Sequence, residues 1–485
     1  MSPALTGPPD LTVGFDLDMT LIDARPGIAA TWDEVSQRTG VRVDSAEAVT
    51  RLGPPLVTEA ARWFPPEQVP AAVELYRSLY PDIAIDKTKP TAGAVDALAS
   101  VRRHNGRSLV VTAKESSLAQ MHVDHLGLDV DAVIGDAWAE AKGAVLREHA
   151  ATVYVGDHLG DIVAARSAGI TSVGVATGPI SAEQLTAAGA DVVLNDLTEF
   201  PSWLDEHVLT SRLNALEAQL QSFGSLLVAF SGGADSAFLL AAAVRALGAS
   251  KVVAATAVSP SLPDAELAPA REFAASLGVR HLTPRTNEMA RDGYRANNGD
   301  RCYFCKAELL DVLTPLAREL GIARIATGTN ADDARAGFRP GIRAAAERGA
   351  VTPLKDAGFT KQQVREASRR WGLPTWNKPA AACLSSRIAY GISITPSRLA
   401  RVNRAEVALR GVLAEAGVPV RNLRVRDLGD TARVEVDAEH VATVSGLPEV
   451  KEAVLRAGFG TVEIDPRGFR SGSMNELLPD PSRFR

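Results

Sequence analysis

The fold of the first half of the chain is decided by residues 11–20, LTVGFDLDMT. A short apolar strand there, Leu11 to Leu17, ends in acidic residues, and similar strands with polar ends recur as SLVVTAK (108–114) and TVYVGDH (152–158). Apolar strands that alternate with Ala- and Leu-rich helical stretches are typical of a parallel α/β sheet. Residues 24–88 interrupt the alternation with helical sequence rich in Ala, Trp and Tyr, which predicts an insertion that caps a site.

A second series of strands follows. Apolar residues at helical spacing between Asp205 and Phe223 predict a helix, and SLLVAF then begins a strand that leads into SGGADS and another helix. The alternation continues with KVVAATAV and ARIATGT, whereas LRVRDLG and ARVEVD predict an antiparallel hairpin. The fold class that we expect is therefore α/β, with two consecutive parallel-sheet domains and a small C-terminal α+β region. The expected bounds are 1–204, 205–400 and 401–485.

Composition and charge exclude several classes of function. The chain has 485 residues, of which 46% are hydrophobic, and no run approaches the ~20 apolar residues of a membrane-spanning helix. The N-terminus lacks the basic start and apolar core of a signal peptide, so we expect a cytoplasmic protein without a membrane partner. Residues 1–200 hold 15 Lys and Arg against 27 Asp and Glu, whereas residues 201–485 hold 37 against 31. The second half has no dense basic run, so it suits phosphorylated small molecules better than a nucleic acid.

Acidic residues at two strand ends predict phosphoryl-transfer chemistry in the first half. Such transfer needs a nucleophilic carboxylate, an acid/base, a cation and donors to the phosphate oxygens. Polar residues at the carboxyl ends of parallel strands supply all of these at one edge of a sheet. We assign Asp16 as nucleophile, Asp18 as acid/base, Thr112 as phosphate donor, Lys142 as cation, and Asp157 and Asp161, with Asp16 and Asp18, as Mg²⁺ ligands. Ordinary strand-end turns are the alternative explanation of these acidic residues.

The order DxDxT, strand-terminal Thr, Lys and GDxxxD resembles the haloacid dehalogenase superfamily across about 200 residues. The resemblance implies a Rossmann-like fold, a Mg²⁺-dependent phosphatase acting on a phosphate ester, and a substrate cap in the helical insertion. Lys142 lies in AKGAVL without the proline that often follows the family's lysine, so Lys114 is a second candidate for its role. A correct fold with little activity is a further alternative.

A glycine-rich loop joins the strand SLLVAF to the helix that follows it. Its glycines let backbone N–H groups approach a phosphate chain, and the helix N-terminus adds partial positive charge. The candidate ATP-binding residues are Ser231, Gly232, Gly233, Asp235 and Ser236. The missing GK[ST] excludes a Walker loop. SGGxDS resembles the loop of the pyrophosphatase-loop enzymes, which implies that ATP is cleaved to pyrophosphate and an adenylate. The alternative is an ordinary glycine turn before a helix, without a binding role.

All three cysteines fall in the second half. Cys302 and Cys305 form a CxxC pair, and Cys383 follows in KPAAACLSSRIAYG. Read singly, the pair fits a redox motif, half of a zinc site or chance, and a lone cysteine is usually a small core residue. No His in this half has convincing spacing for a fourth zinc ligand, whereas three thiolates suit an iron–sulfur cluster with one open iron.

Together, SGGADS, RCYFCK, GTNADD (328–333), RPG (339–341) and CLSSRIAYGISIT (383–395) resemble the LarE family of ATP-dependent sulfur transferases over about residues 205–476. The resemblance implies a pyridinium mononucleotide substrate with two carboxylates. Each carboxylate is adenylylated by ATP and converted to a thiocarboxylate during synthesis of the nickel-pincer nucleotide. A homo-oligomer is also implied.

The same resemblance implies roles for individual residues. Cys383 matches the cysteine that delivers sulfur; one-cysteine members sacrifice it to dehydroalanine, and members that also have CxxC carry a [4Fe-4S] cluster. Arg424 and Arg426, with Glu406 and Glu435, match residues around the substrate phosphate and metal. Exposed positions on a hairpin are an equally good explanation of the two arginines.

The sequence therefore predicts a bifunctional enzyme, a phosphatase fused to an AMP-forming sulfur transferase. One alternative is a tRNA thiolation enzyme with an iron–sulfur cluster, since those enzymes also combine SGGxDS with CxxC and a third cysteine. The modest net charge of residues 201–485 and the lack of an evident RNA-binding appendage favour the sulfur transferase. Another alternative is that one or both halves sense nucleotides without catalysis.

Overall fold

The computed structural model describes residues 11–335, 339–379, 382–470 and 472–477. The chain divides between Val208 and Leu209 into two compact units. This division lies inside a long helix, Phe200–Phe223, and a few residues beyond the boundary at 204 that the sequence suggests. Among the described residues, no helix is both long and apolar enough to cross a bilayer.

The first unit is built on a six-stranded parallel sheet, as predicted. Its strands are β1 (Thr12–Phe15), β4 (Arg107–Val111), β5 (Ala132–Ile134), β6 (Val153–Gly156), β7 (Thr171–Val175) and β8 (Val192–Leu194), and β2 (Ile22–Asp23) and β3 (Lys89–Pro90) form a separate antiparallel pair. The order in the sheet is β5-β4-β1-β6-β7-β8. Alternate residues of each strand enter cores on opposite faces: Val110 and Val153 lie in one, Leu109 and Tyr154 in the other. Burial on both faces explains why these strands are nearly continuous apolar runs.

Helices cover this sheet and build the predicted insertion between β2 and β3. They are α1 (Arg25–Thr39), α2 (Ser45–Ala48), α3 (Leu56–Trp63), α4 (Val69–Ala84), α5 (Ala94–Arg103), α6 (Ser116–Leu126), α7 (Glu140–Glu148), α8 (Leu159–Ala168), α9 (Ala182–Ala187) and α10 (Phe200–Phe223). Trp32 of α1 packs on Tyr76 of α4, with ring centroids 4.6 Å apart. We refer to α1–α4 as the cap.

The second unit begins with a four-stranded parallel sheet of order β11-β10-β9-β12. Its strands are β9 (Leu226–Ala229), β10 (Val252–Ala255), β11 (Arg280–Leu282) and β12 (Ile325–Thr327). The accompanying helices are α11 (Ala234–Leu247), α12 (Asp264–Ser276), α13 (Asp292–Arg295), α14 (Arg301–Glu319), α15 (Ala331–Arg335), α16 (Pro340–Glu347), α17 (Pro353–Asp356) and α18 (Lys361–Arg370). Ser236 through Ala243 of α11 are all buried, because this Ala- and Leu-rich helix lies inside the main core.

The chain ends in a small α+β part with its own core. It contains α19 (Pro396–Glu415), β13 (Leu423–Asp427), β14 (Thr431–Val436), α20 (Val441–Ser445), α21 (Pro448–Arg456) and β15 (Thr461–Ile464). β13 and β14 form the predicted antiparallel hairpin, and β15 pairs in parallel with β14. Tyr294, Leu384 and Ile388 join this core from earlier in the chain. This packing fixes the backbone that directly follows Cys383.

Candidate functional sites

Three carboxylates meet at the carboxyl ends of β1 and β6. Asp16 directly follows β1, Asp157 follows β6, and Asp161 lies in the first turn of α8. All three are buried, and one oxygen of each lies within 4.8 Å of the others. Thr20 Oγ1 donates to Asp157 at 2.9 Å, and the backbone N–H of His158 donates to Asp161 at 3.0 Å.

Lys142 is a buried cation that contacts this cluster. Its Nζ lies 3.0 Å from Asp16 Oδ1 and donates to Asp161 Oδ1 at 2.7 Å. Burial lowers the pKa of Lys142, but the two carboxylates more than offset that effect, so the ammonium stays charged. Lys142 thus contacts the carboxylate cluster although no proline follows it, and its role as the cation that neutralises the phosphate stays a prediction.

Asp18 lies apart from the carboxylate cluster and faces the cap instead. Lys114 Nζ is 3.1 Å from Asp18 Oδ2 and donates to the Tyr80 hydroxyl at 2.8 Å. Asp18 Oδ1 is buried and lacks a hydrogen-bond partner among the described residues. Asp16, Asp18 and Thr112 line one cavity of about 210 Å³, so the nucleophile, acid/base and phosphate donor of the sequence analysis do converge. Asp18 does not belong to the group of three carboxylates that could hold a metal ion, and its assignment as a Mg²⁺ ligand stays a prediction.

The donor set of the cluster fits a divalent cation. Burial raises the pKa of Asp157 well above its usual range, and repulsion from Asp16 and Asp161 adds to the effect. Burial also raises the pKa of Asp16, and Lys142 offsets only part of that rise. Three buried carboxylates and one ammonium leave an excess negative charge, and hard oxygen ligands are those that Mg²⁺ prefers.

The glycine-rich loop of the second unit lies between β9 and the N-terminus of α11. Ser236 Oγ is 3.1 Å from Ser231 Oγ and also donates to the Gly233 carbonyl at 3.1 Å. Gly232 has φ +72°, a left-handed conformation that favours glycine. Gly328 approaches so closely that a Cβ there would lie 2.9 Å from the backbone nitrogen of Ser236. These contacts leave a tight backbone turn at a helix N-terminus, which suits a phosphate chain.

Charged side chains surround this loop. Lys378 Nζ donates to the Gly232 carbonyl at 2.9 Å and to Glu266 at 2.8 Å. Asp235 accepts from Asn330 Nδ2 at 2.9 Å, and burial raises the pKa of Asp235. Lys306 has no ion-pair partner within the described part of the chain, and burial lowers its pKa. Lys306 is thus a cation available to a phosphate, and the sequence analysis missed it.

The loop and two cysteines line a single cavity of about 390 Å³. Ser231 and Asp235 lie in its wall, and so do Cys305 and Cys383. Cys302, one helical turn before Cys305 on α14, is exposed. The structure therefore brings Cys305 and Cys383 to the predicted ATP site, although these two cysteines and the glycine-rich loop lie far apart along the chain.

The three thiols lie near one another, but they do not form a preformed mononuclear metal site in the described part of the chain. Burial raises the pKa of the Cys305 thiol, and the neighbouring Cys383, Glu288 and Cys302 raise it further, which places the three thiols within electrostatic reach of one another. Among the described residues, only the aspartate cluster brings three ligand atoms within 4.8 Å of one another. Tetrahedral zinc with Zn–S near 2.3 Å needs sulfurs about 3.8 Å apart. The three sulfurs therefore do not form a preformed tetrahedral zinc site, and three thiolates are a ligand set that an iron–sulfur cluster also uses.

A carboxylate that the sequence analysis also missed lies in the same cavity. Glu288 is buried, and it accepts hydrogen bonds from Ser259, Ser261 and Thr286 at 2.5, 2.5 and 3.1 Å. A lone glutamate outside any motif carries no signal in sequence, so only the fold reveals it.

A second cavity, of about 330 Å³, is lined by basic residues next to Cys383. Arg424 lies in its wall with Arg410 and Arg421, and burial together with neighbouring arginines lowers the pKa of Arg424 to about 10. Pro263, Glu266 and Ala382 line both this cavity and the one that contains the cysteines. The two cavities are therefore adjacent.

The two arginines of the hairpin have different surroundings. Arg426 makes a buried pair with Glu435, at 2.7 and 3.0 Å, and contacts Ser473 at 3.2 Å. Glu406 accepts from Arg387 at 3.0 Å and from the backbone N–H of Val425 at 3.1 Å. Both arginines are buried, so the hairpin does not simply expose them to solvent. Of these two arginines, Arg424 is the one that lines the basic cavity.

Comparison with known proteins separates the two units. Residues 13–175 match the haloacid dehalogenase-like hydrolase family. A phosphoglycolate phosphatase of Caulobacter vibrioides is 27% identical over 211 residues, covering 39% of this chain and 89% of that protein. The first unit is thus a haloacid dehalogenase-like domain, as the motif order predicted.

The second unit has relatives of higher identity. An uncharacterized protein of Synechocystis is 43% identical over 269 residues, covering 54% of this chain and 97% of that protein. The pyridinium-3,5-bisthiocarboxylic acid mononucleotide synthase of Lactiplantibacillus plantarum is 33% identical over 271 residues, covering 56% of this chain and 96% of that protein. Through its C-terminal part, the chain belongs to this synthase family.

Membership of the synthase family confirms the resemblance to LarE. The match accounts for the second unit, and the hydrolase match accounts for the first, so the chain is a fusion of the two. The glycine-rich loop, the cysteine cavity and the arginine cavity all lie in the synthase part.

Proposed function

We propose that the second unit converts the carboxylates of a pyridinium dicarboxylate mononucleotide to thiocarboxylates, with ATP cleaved to AMP and pyrophosphate. The observation that carries the proposal is the shared cavity, in which the glycine-rich loop and Cys383 face the same space. The synthase of Lactiplantibacillus plantarum, by its name, makes a bisthiocarboxylic acid mononucleotide, which supports the same chemistry here.

In the first step, ATP adenylylates a carboxylate of the substrate, and residues of both cavities take part. The loop backbone, Ser231 and Ser236 bind the β- and γ-phosphates, and Lys306 offsets the charge on the phosphate chain. A substrate carboxylate oxygen attacks the α-phosphorus, the bond between the α-phosphorus and the bridging oxygen breaks, and pyrophosphate leaves. Because Arg424 lies in the adjoining cavity, its guanidinium binds the substrate phosphate and holds the carboxylate near Cys383.

Sulfur enters in the second step. A sulfur nucleophile attacks the acyl carbon of the adenylate, and AMP leaves as the C–O bond breaks. We propose that Cys302, Cys305 and Cys383 hold a [4Fe-4S] cluster. Such a cluster would supply one iron with an open position for the transferred sulfur. The alternative is that the Cys383 sulfur itself is transferred, which leaves dehydroalanine.

The test is anaerobic reconstitution of the purified chain, followed by assay with ATP, the dicarboxylate mononucleotide and sulfide. We expect iron and sulfide to bind, AMP and pyrophosphate to form, several turnovers per chain, and Cys383 to stay intact by mass spectrometry. Cys302→Ala and Cys305→Ala should lose iron. Dehydroalanine at position 383 after one turnover, with both alanine variants still active, would establish the sacrificial route instead.

We further propose that the first unit is a Mg²⁺-dependent phosphatase. Asp16 attacks the phosphorus of an ester and forms an aspartyl phosphate, while Asp18 gives a proton to the departing oxygen. Asp18 then takes a proton from the water that hydrolyses the intermediate. Thr112 donates to a phosphate oxygen. Mg²⁺ bound to Asp16, Asp157 and Asp161 would offset the phosphate charge.

Replacement of the nucleophile tests this assignment. Asp16→Asn exchanges one oxygen for an amide nitrogen and should abolish hydrolysis of a generic phosphate ester in Mg²⁺. ATP cleavage by the second unit should not change. Wild-type phosphatase activity in Asp16→Asn would show that the site is assigned wrongly.

A further inference from the structure

The cavity above Asp16 restricts what the first unit accepts. Its volume of about 210 Å³ must hold both the transferred phosphoryl group and the leaving group. Pockets for drug-sized ligands occupy about 300–1,000 Å³. The volume therefore favours a small ester over one whose leaving group is as large as a nucleoside.

The cap side of this cavity is largely aromatic and aliphatic. Trp32, Tyr76 and Tyr80 stand side by side, with ring centroids 4.6 and 5.5 Å apart between successive rings. All three are almost completely buried. Aliphatic residues complete the wall, among them Leu52, Pro55, Val73 and Leu118. A leaving group that enters this space exchanges water for apolar surface, which favours an apolar or aromatic body.

Each cation in the lining already has a carboxylate partner. Arg51 donates to Glu59 through Nε at 3.2 Å and through one terminal nitrogen at 2.7 Å, and its other terminal nitrogen contacts Glu47. Arg77 lies 3.9 Å from Asp136. The third cation in the lining, Lys114, forms an ion pair with Asp18.

The lining as a whole repels a second anion. Apart from Asp16, the three cations Arg51, Arg77 and Lys114 face the carboxylates of Asp18, Glu59, Glu115 and Asp136. An anionic leaving group would have to break one of these ion pairs, of which those of Arg51 and Lys114 are the more buried, or remain beside a carboxylate. Either outcome costs binding energy.

We propose that the phosphatase selects small phosphate monoesters whose leaving group is uncharged and apolar or aromatic. Phosphorylated carboxylic acids and pyrophosphate are the substrates that the charges disfavour. This inference rests on the proposed Asp16-dependent hydrolysis. In each turnover the ester P–O bond breaks, the phosphoryl group passes to Asp16 and then to water, and the alcohol leaves with the proton from Asp18.

The first experiment compares kcat/KM for four substrates of the full-length protein in Mg²⁺: benzyl phosphate, phosphoglycolamide, phosphoglycolate and pyrophosphate. Phosphoglycolamide and phosphoglycolate are nearly isosteric and differ by one negative charge. We expect benzyl phosphate to exceed phosphoglycolate by at least about tenfold, and the amide to exceed the acid by at least about threefold. Equal or higher efficiency with phosphoglycolate or pyrophosphate would overturn the proposal.

The second experiment removes one of the two carboxylates that pair with the lining cation Arg51. Glu59→Gln removes one carboxylate from Arg51 and should raise the ratio of kcat/KM for phosphoglycolate to kcat/KM for phosphoglycolamide by about threefold. Glu34→Gln is the matched control, because Glu34 pairs with Arg38 on an exposed part of the cap outside the cavity. An equal gain for both substrates would contradict the charge argument.

Asp16→Asn separates this inference from the proposed function. If Asp16-dependent hydrolysis occurs but phosphoglycolate is preferred, only the inferred substrate class is wrong. If no ester is hydrolysed, or hydrolysis survives Asp16→Asn, the phosphatase assignment itself is wrong and the inference falls with it.

Discussion

Replacement of Lys142 by methionine tests how the buried charges of the first unit are balanced. The Lys142 side chain is fully buried, and its Nζ contacts both Asp16 and Asp161. Methionine keeps a long apolar side chain but removes the ammonium. Three buried carboxylates then face one another without a cation, and two of them lose an ion pair.

The cost follows from removing one partner of a buried ion pair, which destabilises a protein by about 3–5 kcal/mol. For a unit of roughly 200 residues, each kcal/mol shifts Tm by about 2–4 °C. In EDTA, Tm of the first unit should therefore fall by about 6–20 °C. Mg²⁺ should recover more stability in Lys142→Met than in the wild type, because the divalent cation offsets the charge that the lysine no longer offsets.

Differential scanning calorimetry in EDTA and in Mg²⁺ provides the assay, with the transition of the second unit as an internal reference. Lys89→Met serves as the control, since Lys89 is exposed on β3. A fall in Tm no larger than that of Lys89→Met, or an equal response of both variants to Mg²⁺, would refute the charge balance described here.

Three further outcomes are expected. Asp235→Asn should lose conversion of ATP to AMP and pyrophosphate while phosphatase activity is unchanged; release of ADP as the main product would contradict the adenylate mechanism. Arg424→Gln should raise KM for the mononucleotide at least about tenfold, because it removes the guanidinium proposed to bind the substrate phosphate. Arg426→Gln should lower the free energy of unfolding by about 3–5 kcal/mol, because it breaks a buried pair. Steady-state kinetics checks the first expectation and denaturant titration checks the second. Burial lowers the pKa of His122 to about 4, so between about pH 6.5 and pH 4 the imidazole is protonated in the unfolded chain but neutral in the native one. The free energy of unfolding therefore falls as pH drops through this range, and urea unfolding should show a smaller fall in His122→Gln. The same pH dependence in His122→Gln and in the wild type would contradict this pKa.

The local sequence determined the elements and the positions of the motifs. Runs such as LTVGF and SLLVAF specify buried strands, because both faces of a parallel sheet are covered. Polar residues directly after those strands fall at one edge of the sheet by geometry alone. The parallel sheets, the hairpin near residue 430 and the gathering of Asp16, Asp157 and Asp161 could therefore be predicted without coordinates.

Only the tertiary structure decided which charges meet. Lys114 and Lys142 were both candidates for the cation of the phosphatase site, and packing pairs them with different aspartates. Lys142 on α7 contacts Asp161, whereas Lys114 contacts Asp18 and donates to the hydroxyl of Tyr80 in the cap. Arg424 and Arg426 share one face of a strand, yet Arg426 pairs with Glu435 whereas Arg424 lines the basic cavity.

The position of Cys383 in the same cavity as the glycine-rich loop also depends on tertiary packing. Leu384 and Ile388 pack in the C-terminal core, and this long-range apolar burial places Cys383 in the wall of the cavity that the glycine-rich loop lines. Sequence spacing carries no information about such a contact, because it is set by the packing of side chains from distant segments. For the same reason Lys306 and Glu288, which belong to no periodic pattern, became visible as site residues only when the chain was folded around them.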